Sequence, residues 1–283
     1  MYLLSLLGNL LICMLIYSNT SLYYSPMYFL LSHLSLADMG ISSTTTPKML
    51  QTMLSPTSTY SGCLTQLYFF VAFCTTENFL LASMAYDRYT AICCPLHYTT
   101  RISYNRCLLL AVGCWLIAHA HSLMYVLLVA NFSFCASREI PHFFCDLHPL
   151  LKLSCSDTSA VEMLLVTEGT VAMLGPLMLV LLSYIFIVSK VLKVPSASRK
   201  YKAFSTCMAH FLTVALFYGT LFATYIRPTA SYSSPRTRVA AVFYTVVIPM
   251  LNPFIYSLRN KEMQRVMKSL LRVWFQKRSL DHL

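Results

Sequence analysis

The amino-acid sequence predicts an all-α protein, a bundle of seven transmembrane helices with an extracellular amino terminus. Three observations support this fold class: a strongly apolar composition, seven long apolar stretches, and a one-sided distribution of positive charge. The chain has 283 residues, of which 57% are hydrophobic and 11% charged, and its mean hydropathy is +0.60. A water-soluble domain has too little interior to bury so many apolar side chains, so the composition indicates a membrane protein.

The apolar stretches are each long enough to cross a membrane as a helix. About 20 residues span a hydrocarbon layer of roughly 30 Å, and backbone groups in lipid must be hydrogen-bonded within their own segment. In order along the chain, the spans are predicted at 1–17, 26–50, 61–93, 107–129, 160–190, 203–226 and 239–258.

The two ends of the chain are predicted to differ. Span one begins at Met1 without a polar leader, so we expect a helix truncated at its outer end rather than a cleaved signal peptide. We expect residues 1–258 to form the transmembrane domain and residues 259–283 to form a cytoplasmic amphipathic helix and tail on an anionic leaflet. The apolar residues that recur there at helical spacing are Met263, Val266, Met267, Leu270, Leu271 and Trp274.

Positive charge is concentrated in alternate connecting segments. The net charge is +11, and 15 of the 21 Lys and Arg residues follow the third, fifth and seventh spans. Cytoplasmic loops carry the excess of Lys and Arg, so the carboxyl terminus is predicted inside and the amino terminus outside. The same distribution argues against nucleic acid as a partner. The six basic residues of the other segments are Lys48, Arg138, Lys152, Arg227, Arg236 and Arg238.

Four cysteines are predicted on the outer face. Cys63 lies 25 residues before Arg88, which is about 37 Å along a helix and therefore a full crossing of the membrane. Together with Cys135, Cys145 and Cys155 it can form two disulfides, in any of three pairings, on this oxidising side. The other seven cysteines lie in spans or near the cytoplasm and are expected to stay reduced.

The same outer loop has a rival interpretation as a metal site. His142, Cys145 and His148 recur at three-residue spacing beside Asp146, and these are side chains that bind zinc. A cysteine in a disulfide is no longer a thiolate ligand, so the two interpretations exclude one another.

Four runs of residues resemble the olfactory (odorant) receptors, a group of the rhodopsin-like (class A) G-protein-coupled receptor family. Each run lies at the membrane edge where that family has it, and the likeness extends from Gly8-Asn9 to the helix after span seven. The runs are Pro26-Met27-Tyr28-Phe29-Leu30, Met84-Ala85-Tyr86-Asp87-Arg88-Tyr89, Lys202-Ala203-Phe204-Ser205-Thr206-Cys207 and Pro249-Met250-Leu251-Asn252-Pro253-Phe254-Ile255-Tyr256.

The resemblance implies a multi-pass receptor of the plasma membrane rather than an enzyme. Such a receptor binds a small volatile odorant and activates a stimulatory, olfactory-type heterotrimeric G protein, which raises cyclic AMP. Its other partners are membrane lipids, and no cofactor is expected apart from an allosteric sodium ion. The resemblance also implies disulfides from Cys63 to Cys145 and from Cys135 to Cys155.

The resemblance further implies a G-protein switch at the cytoplasmic ends of the spans. Asp87 would hold Arg88 at rest, and Tyr184 and Tyr256 would move towards Arg88 when the cytoplasmic side opens. Proline interrupts the helical hydrogen bonds, which makes Pro253 a candidate hinge. The alternative is that Pro253 only bends a packed helix while Asp87 and Arg88 anchor the end of span three. The full set is Asp87, Arg88, Tyr89, Tyr184, Asn252, Pro253 and Tyr256.

Two carboxylates are predicted well inside the spans. Asp38 in span two and Glu77 in span three each need a partner or a proton, and Asn9 and Asn252 are expected nearby. A shared cation would satisfy both, and the resemblance implies a sodium ion that stabilises the inactive state. The alternative is that one or both are protonated and form hydrogen bonds between helices.

An outward-facing ligand pocket between spans three, five, six and seven is implied by the resemblance. Its expected lining is mostly apolar with a few hydroxyls, which favours a small hydrophobic ligand held with modest affinity by one or two hydrogen bonds. Each of these residues could equally serve ordinary helix packing. They are Phe70, Val71, Cys74, Thr75, Tyr218, Leu221, Thr224, Tyr225, Val242 and Thr245.

Glu168 is an isolated carboxylate in the outer half of span five, where the family more often has a small residue. It should be neutral, solvated or paired, and His121 in span four is the candidate partner. The adjacent Gly169 is expected to leave room. We hypothesise that Glu168 and His121 line the deep pocket and favour amines or strong hydrogen-bond donors. The alternative is that Glu168 faces the outer water layer without a specific role.

Other functional classes fit the sequence less well. The odd number of spans, the lack of an internal repeat and the scarcity of mid-membrane charges disfavour a transporter or channel. An enzyme is disfavoured because no cluster within the spans has the arrangement of a nucleophile or a metal site. A receptor-like product that does not signal is a further alternative, since olfactory receptors usually have an extracellular segment ahead of span one.

Overall fold

The computed structural model describes residues 1–54, 59–132, 154–155, 157–225, 241–260, 262–269 and 272. Its long elements are helices, which we number along the chain. They are α1 (Tyr2–Ser18), α2 (Pro26–Leu54), α3 (Tyr60–Cys93), α4 (Tyr104–Ala130), α5 (Ser159–Leu192), α6 (Ala197–Tyr225), α7 (Ile248–Arg259) and α8 (262–269). A π-helical turn, Phe243–Val247, leads into α7, and short helical turns connect α1 to α2 and α3 to α4.

A helix lies within each predicted span where the structure describes it. Span six differs at its start, since α6 begins at Ala197 rather than at 203. The residues between these positions are polar and basic, and a helix continues through them because their side chains can reach water. Hydropathy therefore located the apolar part of α6 but not its polar first turn. In span seven, α7 begins at Ile248 and follows the π-helical turn, while the predicted start at 239 lies outside the described residues.

Four described helices are long and apolar enough to cross a membrane by length and composition: Tyr60–Cys93, Tyr104–Ala130, Ser159–Leu192 and Ala197–Ala223. The first helix is apolar but has only 17 residues. The second interrupts its apolar positions with Asp38, Lys48 and many hydroxyl side chains. These helices are compatible with multi-pass residence in a membrane.

The third helix is the centre of the bundle. It packs against α2, α4, α5 and α6, whereas α1 packs against α2 and α7, and α7 also contacts α6. Its inward surface mixes apolar side chains such as Leu80, Leu81 and Met84 with polar ones such as Glu77 and Arg88. Several ionisable groups therefore lie inside the molecule.

The outer surface of the bundle is apolar instead. Large apolar side chains on α1, α4 and α5 are exposed, including Leu3 at 68%, Leu109 at 71% and Met163 at 73%. Soluble monomers rarely expose continuous apolar surface of this kind. Lipid would cover this surface without the cost of hydrating it.

Helix ends are fixed by side-chain caps. The Asn19 side chain accepts hydrogen bonds from the backbone N–H groups of Ser21 at 3.0 Å and Leu22 at 3.3 Å. The Ser103 hydroxyl caps α4 by accepting from the Arg106 N–H at 3.4 Å. Such caps replace bonds that the first turn of a helix cannot make internally.

The helix α8 is attached to the bundle as well as being amphipathic. Met263 is buried in the main apolar core, and Val266 and Met267 pack against that core. Tyr28 of α2 donates to the Asn260 side chain at 2.8 Å and lies 3.1 Å from the Glu262 carboxylate. Part of the apolar face that was predicted to lie on lipid therefore packs on protein. Leu270, Leu271 and Trp274 lie outside the described residues.

Gly40 allows α2 to approach α3 closely. A Cβ atom at this position would lie 2.6 Å from the ring of Phe73. That ring cannot easily retreat, because it stacks on Phe69 at 6.0 Å and packs edge-on against Trp115 at 6.0 Å. By contrast, a Cβ atom at Gly113 of α4 would have no neighbour within 4 Å among the residues that the structure describes.

We expect Gly40→Ala to destabilise the protein by about 1–3 kcal/mol, because overpacking outweighs the better helix propensity of alanine. The measurement is the thermal unfolding midpoint of the detergent-solubilised chain. Gly113→Ala is the matched control and should be neutral or slightly stabilising. Equal midpoints for the two variants would show that the α2–α3 approach is not tightly packed.

Candidate functional site

A chain of hydrogen bonds connects α3, α4 and α5 through His121. Its Nε2 atom lies 2.8 Å from a carboxylate oxygen of Glu168, and its Nδ1 atom lies 3.3 Å from the Thr75 hydroxyl. The side chains of His121 and Glu168 are 12% and 33% exposed. The structure thus brings together the predicted partners His121 and Glu168 and adds Thr75 to them.

Gly169 has a different role from the one expected. A Cβ atom there would lie 2.5 Å from the Tyr125 hydroxyl, so the space beside Gly169 is filled rather than open. The same hydroxyl donates to the Leu165 carbonyl at 2.8 Å, and the Tyr125 ring centroid is 4.7 Å from that of His121. The expectation of free room was wrong because the bulky side chain comes from the neighbouring helix α4.

Most of the apolar residues predicted to line a pocket share one core. Phe70, Val71, Cys74, Tyr218 and Leu221 belong to or pack against the main apolar cluster. Phe70 packs edge-on against Tyr244 with 5.9 Å between ring centroids. Thr245 is buried and donates to the Ala241 carbonyl at 2.8 Å, while Val242 is half-buried. The side chains of Thr224 and Tyr225 lie outside the described residues.

Asn78 joins three helices next to this cluster. Its amide nitrogen donates to the Ala172 carbonyl of α5 at 2.9 Å, and its amide oxygen accepts from the Tyr218 hydroxyl of α6. Asn78 and Tyr218 are both buried. The sequence interpretation missed Asn78, although a polar residue in the middle of an apolar span is the signal that could have identified it.

The two carboxylates predicted inside the spans are both buried, Asp38 and Glu77 each at 1% exposure. The Asn252 amide nitrogen donates to both Asp38 oxygens, at 3.1 and 2.9 Å. Asn9 donates instead to the carbonyls of Ser5 and Pro249, at 3.0 and 2.9 Å.

Three buried acceptor atoms of Glu77, Asn9 and Asn252 are not satisfied within the described part of the chain. They are one oxygen of Glu77 and the amide oxygens of Asn9 and Asn252. Buried acceptors without a donor are costly, so each of these oxygens can accept a further donor or a cation. Among the described residues, no group of three or more His, Cys, Asp or Glu side chains has the geometry of a metal site.

At the other end of α3, Asp87 differs from its predicted arrangement. Its carboxylate accepts a hydrogen bond from the Tyr98 hydroxyl at 2.8 Å. Asp87 and Arg88 both lie within the described residues, and no ion pair joins their side chains. Burial and the nearby Asp87 carboxylate raise the pKa of Tyr98, which therefore remains a donor at physiological pH.

Tyr184 and His210 connect α5 and α6 to α3 near Arg88. His210 Nε2 lies 3.0 Å from the Leu81 carbonyl, which can only accept, so this nitrogen carries the proton. The Tyr184 hydroxyl lies 2.8 Å from Nδ1 of the same ring and 3.3 Å from the Cys207 carbonyl, so its one hydrogen is shared between two acceptors. The two rings stack at 5.8 Å, and His210 is 2% exposed. Sequence reasoning missed His210, whose signal was an ionisable group within an apolar span.

The remaining predicted switch residues lie in packed surroundings. Tyr256 is 1% exposed, and within the described residues its hydroxyl has no hydrogen-bond partner. A Cβ atom on Gly8 would lie 3.1 Å from Pro253, so α1 closely approaches the predicted hinge. Tyr89 stacks with Tyr86 and packs against Phe186, which turns it towards α5.

The cysteines divide as the sequence predicted where the structure describes them. The cysteines that form no disulfide are Cys13, Cys74, Cys93, Cys94, Cys107, Cys114 and Cys207. Cys63 and Cys155 are disulfide-bonded. Cys135 and Cys145 lie outside the described residues, as do His142, Asp146 and His148 of the rival metal interpretation. The pairing itself therefore stays a prediction.

Comparison with known proteins adds a family to this geometry. The family model described as olfactory receptor matches residues 1–273. The chain is 51% identical over 277 residues to olfactory receptor 1f45 of Rattus norvegicus, covering 97% of the chain and 88% of that protein. It is 53% identical over 272 residues to olfactory receptor 1L6 of Homo sapiens, covering 95% of the chain and 78% of that protein. The chain is 52% identical over 272 residues to olfactory receptor 1L4 of Homo sapiens, covering 95% of the chain and 87% of that protein.

We expect disulfide mapping of the unreduced protein to recover one peptide joining Cys63 to Cys145 and another joining Cys135 to Cys155. The measurement is mass spectrometry after proteolysis under conditions that prevent thiol exchange. The seven cysteines that form no disulfide should all be alkylated when the protein is unfolded without a reductant. A peptide that joins Cys63 to Cys155 or to Cys135 would refute the pairing.

Proposed function

The chain belongs to the olfactory receptor family, and from that membership we propose that it is an odorant receptor that signals through a stimulatory, olfactory-type G protein. Members of this family are signalling receptors rather than enzymes. Activation of the proposed partner would raise cyclic AMP.

The proposed topology has seven spans in the plasma membrane with the amino terminus outside. It is supported by the exposed apolar surface and by the concentration of Lys and Arg in alternate segments. Arg88 then lies at the cytoplasmic end of α3, and Cys63 lies at the outer end. Asp87, Arg88 and Tyr89 would thus meet an intracellular partner.

The observation that carries the proposal is the attachment of α6 near Arg88. His210 bonds to α3 through the Leu81 carbonyl and to α5 through the Tyr184 hydroxyl. Outward movement of α6 would break both bonds and release Tyr184, which could then turn towards Arg88. Tyr256 of α7 is similarly poised, because its buried hydroxyl has no partner within the described residues. Asp87 would steady the connection after α3 through Tyr98 rather than by pairing with Arg88.

The proposed odorant site lies between α3, α5, α6 and the π-helical turn before α7. Phe70, Val71, Cys74, Tyr218 and Leu221 would supply its apolar lining, with Thr75 and Thr245 as hydroxyls. A small hydrophobic molecule fits such a lining, and few buried atoms give modest affinity. Glu168 and His121 would supply the polar contact on the α4–α5 side.

Coupling between this site and the switch would run through Asn78. A ligand that displaces Tyr218 changes the bond from Tyr218 to Asn78, and Asn78 also bonds to the α5 backbone at Ala172. The odorant would activate the receptor to the extent that it binds the open arrangement more tightly than the resting one.

A sodium ion is proposed between Asp38 and Glu77 in the resting state. The chain's own residues fit such an ion, because the unsatisfied oxygens of Glu77, Asn9 and Asn252 are acceptors of the kind that hard cations prefer. Its charge would offset the two buried carboxylates. The Asn252 contact with Asp38 would link the ion to α7, next to the Pro253 hinge.

The function is tested in cells that display an epitope-tagged chain and are exposed to a panel of volatile alcohols, ketones, aldehydes and amines. At least one compound should raise cyclic AMP, and Arg88→Ala should reduce that rise to less than about a tenth at equal surface display. His210→Leu should raise cyclic AMP several-fold without odorant, because it removes two bonds worth about 1 kcal/mol each from the resting state.

The control for the second variant is His119→Leu. His119 also bonds to a tyrosine, Tyr68, at 2.9 Å, but it lies on α4 away from Arg88. The His119→Leu variant should leave the cyclic AMP level without odorant unchanged. Intact signalling by Arg88→Ala would refute the proposed switch, and silence of the whole panel on displaying cells would refute the proposed function.

Sodium should stabilise the purified resting chain against heat relative to an equal concentration of choline. At a sodium concentration about ten times its Kd, the expected stabilisation is about 1.4 kcal/mol. Asp38→Asn should abolish the effect, whereas Asp157→Asn, which removes an exposed carboxylate charge beside Ser159, should retain it. Identical thermal unfolding midpoints in sodium and in choline would exclude the proposed sodium site.

A further inference from the structure

The hydrogen-bond chain from Thr75 through His121 to Glu168 has few hydrogen atoms to share. A threonine hydroxyl donates once, a neutral imidazole donates once, and a carboxylate only accepts. The position of each hydrogen therefore follows from the number of protons on the His121–Glu168 pair. This number determines whether the hydrogen-bond chain can donate a hydrogen bond to a bound molecule or can only accept one.

In the first protonation state, Glu168 is a carboxylate and the His121 ring is neutral. The Glu168 oxygen at 2.8 Å accepts from His121 Nε2, so the ring has no hydrogen on Nδ1. Thr75, 3.3 Å from Nδ1, must then donate its hydroxyl hydrogen to the ring. All the hydrogens are used within the chain. Only lone pairs on Thr75 and Glu168 remain, and these suit a ligand that donates.

One added proton reverses the bond at Thr75. When that proton enters the bond between Glu168 and Nε2, as an imidazolium or as a carboxylic acid donating to Nε2, the ring carries a hydrogen on Nδ1. That hydrogen is donated to the Thr75 oxygen, and the hydroxyl hydrogen of Thr75 is released. The chain can then donate to a ligand that only accepts, such as a ketone.

We propose that the Thr75–His121–Glu168 chain selects odorants by hydrogen-bond polarity and that a single proton on its histidine–carboxylate pair reverses the selection. The deprotonated pair favours ligands with a hydroxyl or amino hydrogen. The protonated pair admits carbonyl ligands. This inference rests on the proposed function, because it requires an odorant beside Thr75.

The surroundings of the pair suit such a role. From α4, the Tyr125 ring faces His121, but its hydroxyl already donates to the Leu165 carbonyl at 2.8 Å. From α5 the facing charged group is Glu168, and on α3 the residue next to Thr75 is Cys74, which is not in a disulfide. His121 is mostly buried and Glu168 is one-third exposed. The proposal requires that the exposed part of Glu168 faces water rather than lipid and that the ligand meets Thr75 on the other side of the ring.

The test compares aliphatic alcohols of six to ten carbons with the ketones of the same skeletons, since neither class titrates near neutral pH. Cells displaying the full chain are assayed for cyclic AMP at external pH 5.5 to 8. Ketones should lose potency relative to their alcohols as pH rises, by about three- to tenfold, which is the effect of one hydrogen bond in a partly buried site. A ratio that does not change with pH in responding cells would overturn the inference and leave the proposed function intact.

Substitutions at two positions distinguish pH dependence that comes from the Thr75–His121–Glu168 hydrogen bonds from general effects of pH on signalling. Thr75→Val removes the hydroxyl at similar volume and should make the potency ratio independent of pH, whereas Thr75→Ser should retain the dependence. Glu168→Gln supplies an amide donor at every pH, so ketones should keep their potency at pH 8. Dependence on pH that survives Thr75→Val would contradict the assignment.

A second measurement needs no odorant. Nitrogen NMR of the purified chain labelled with ¹⁵N-histidine, with the His121→Gln variant for assignment, reports which ring nitrogen carries hydrogen. At high pH, Nε2 of His121 should be protonated and Nδ1 bare, and acidification should add the hydrogen to Nδ1. A neutral ring with its hydrogen on Nδ1 at high pH would refute the direction of the Thr75 bond.

Discussion

The buried polar groups of α3 are the constraint on which the rest of the bundle depends. Glu77, Asn78, Asp87 and Arg88 are exposed by only 1%, 5%, 2% and 8%. A buried polar group without a partner costs about 1–3 kcal/mol, so neighbouring helices must bring donors and acceptors to α3. For Asn78 these come from the α5 backbone and from α6, and for Asp87 from the connection to α4. The central position of α3 follows from polar matching as well as from apolar fit.

The attachment of α6 differs in kind from that of α5. The fifth helix packs extensively along α3, whereas α6 touches α3 and α5 over a smaller length and is held there by Tyr218 and His210. Hydrogen bonds can be exchanged for others with little net change in energy, but loss of packed apolar area cannot be compensated so easily. Moving α6 away from α3 would therefore cost less than moving α5 away from α3, and under the proposed function the polar contacts would determine when that movement occurs.

Hydropathy predicted the helices well because each span needs a long apolar stretch whatever its neighbours are. It also indicated that Asp38 and Glu77 are buried and that Glu168 needs a partner such as His121. It could not predict that Asp87 binds Tyr98, that Tyr125 fills the space at Gly169, or that His210 joins three helices. These contacts depend on the rotation and tilt of each helix. A helix that is apolar on every side carries no periodic signal from which its inward face could be read.

Under the proposed function, polar groups on or bonded to α3 would respond to a proton, to a cation and to the G protein. In the middle of α3, the His121–Glu168 pair that bonds to Thr75 would exchange a proton with water. At nearly the same level, the unsatisfied oxygens around Glu77 and Asn252 favour a cation. At the Arg88 end, His210 bonds to Tyr184 and to the Leu81 carbonyl, and these bonds would change only when α6 moves. Because α3 is one continuous helix, a change at one level alters the partners available at the others. Thermodynamic linkage then requires reciprocity: a G protein that favours the open end must change the affinity for odorant and for the cation by the same factors with which they change its own.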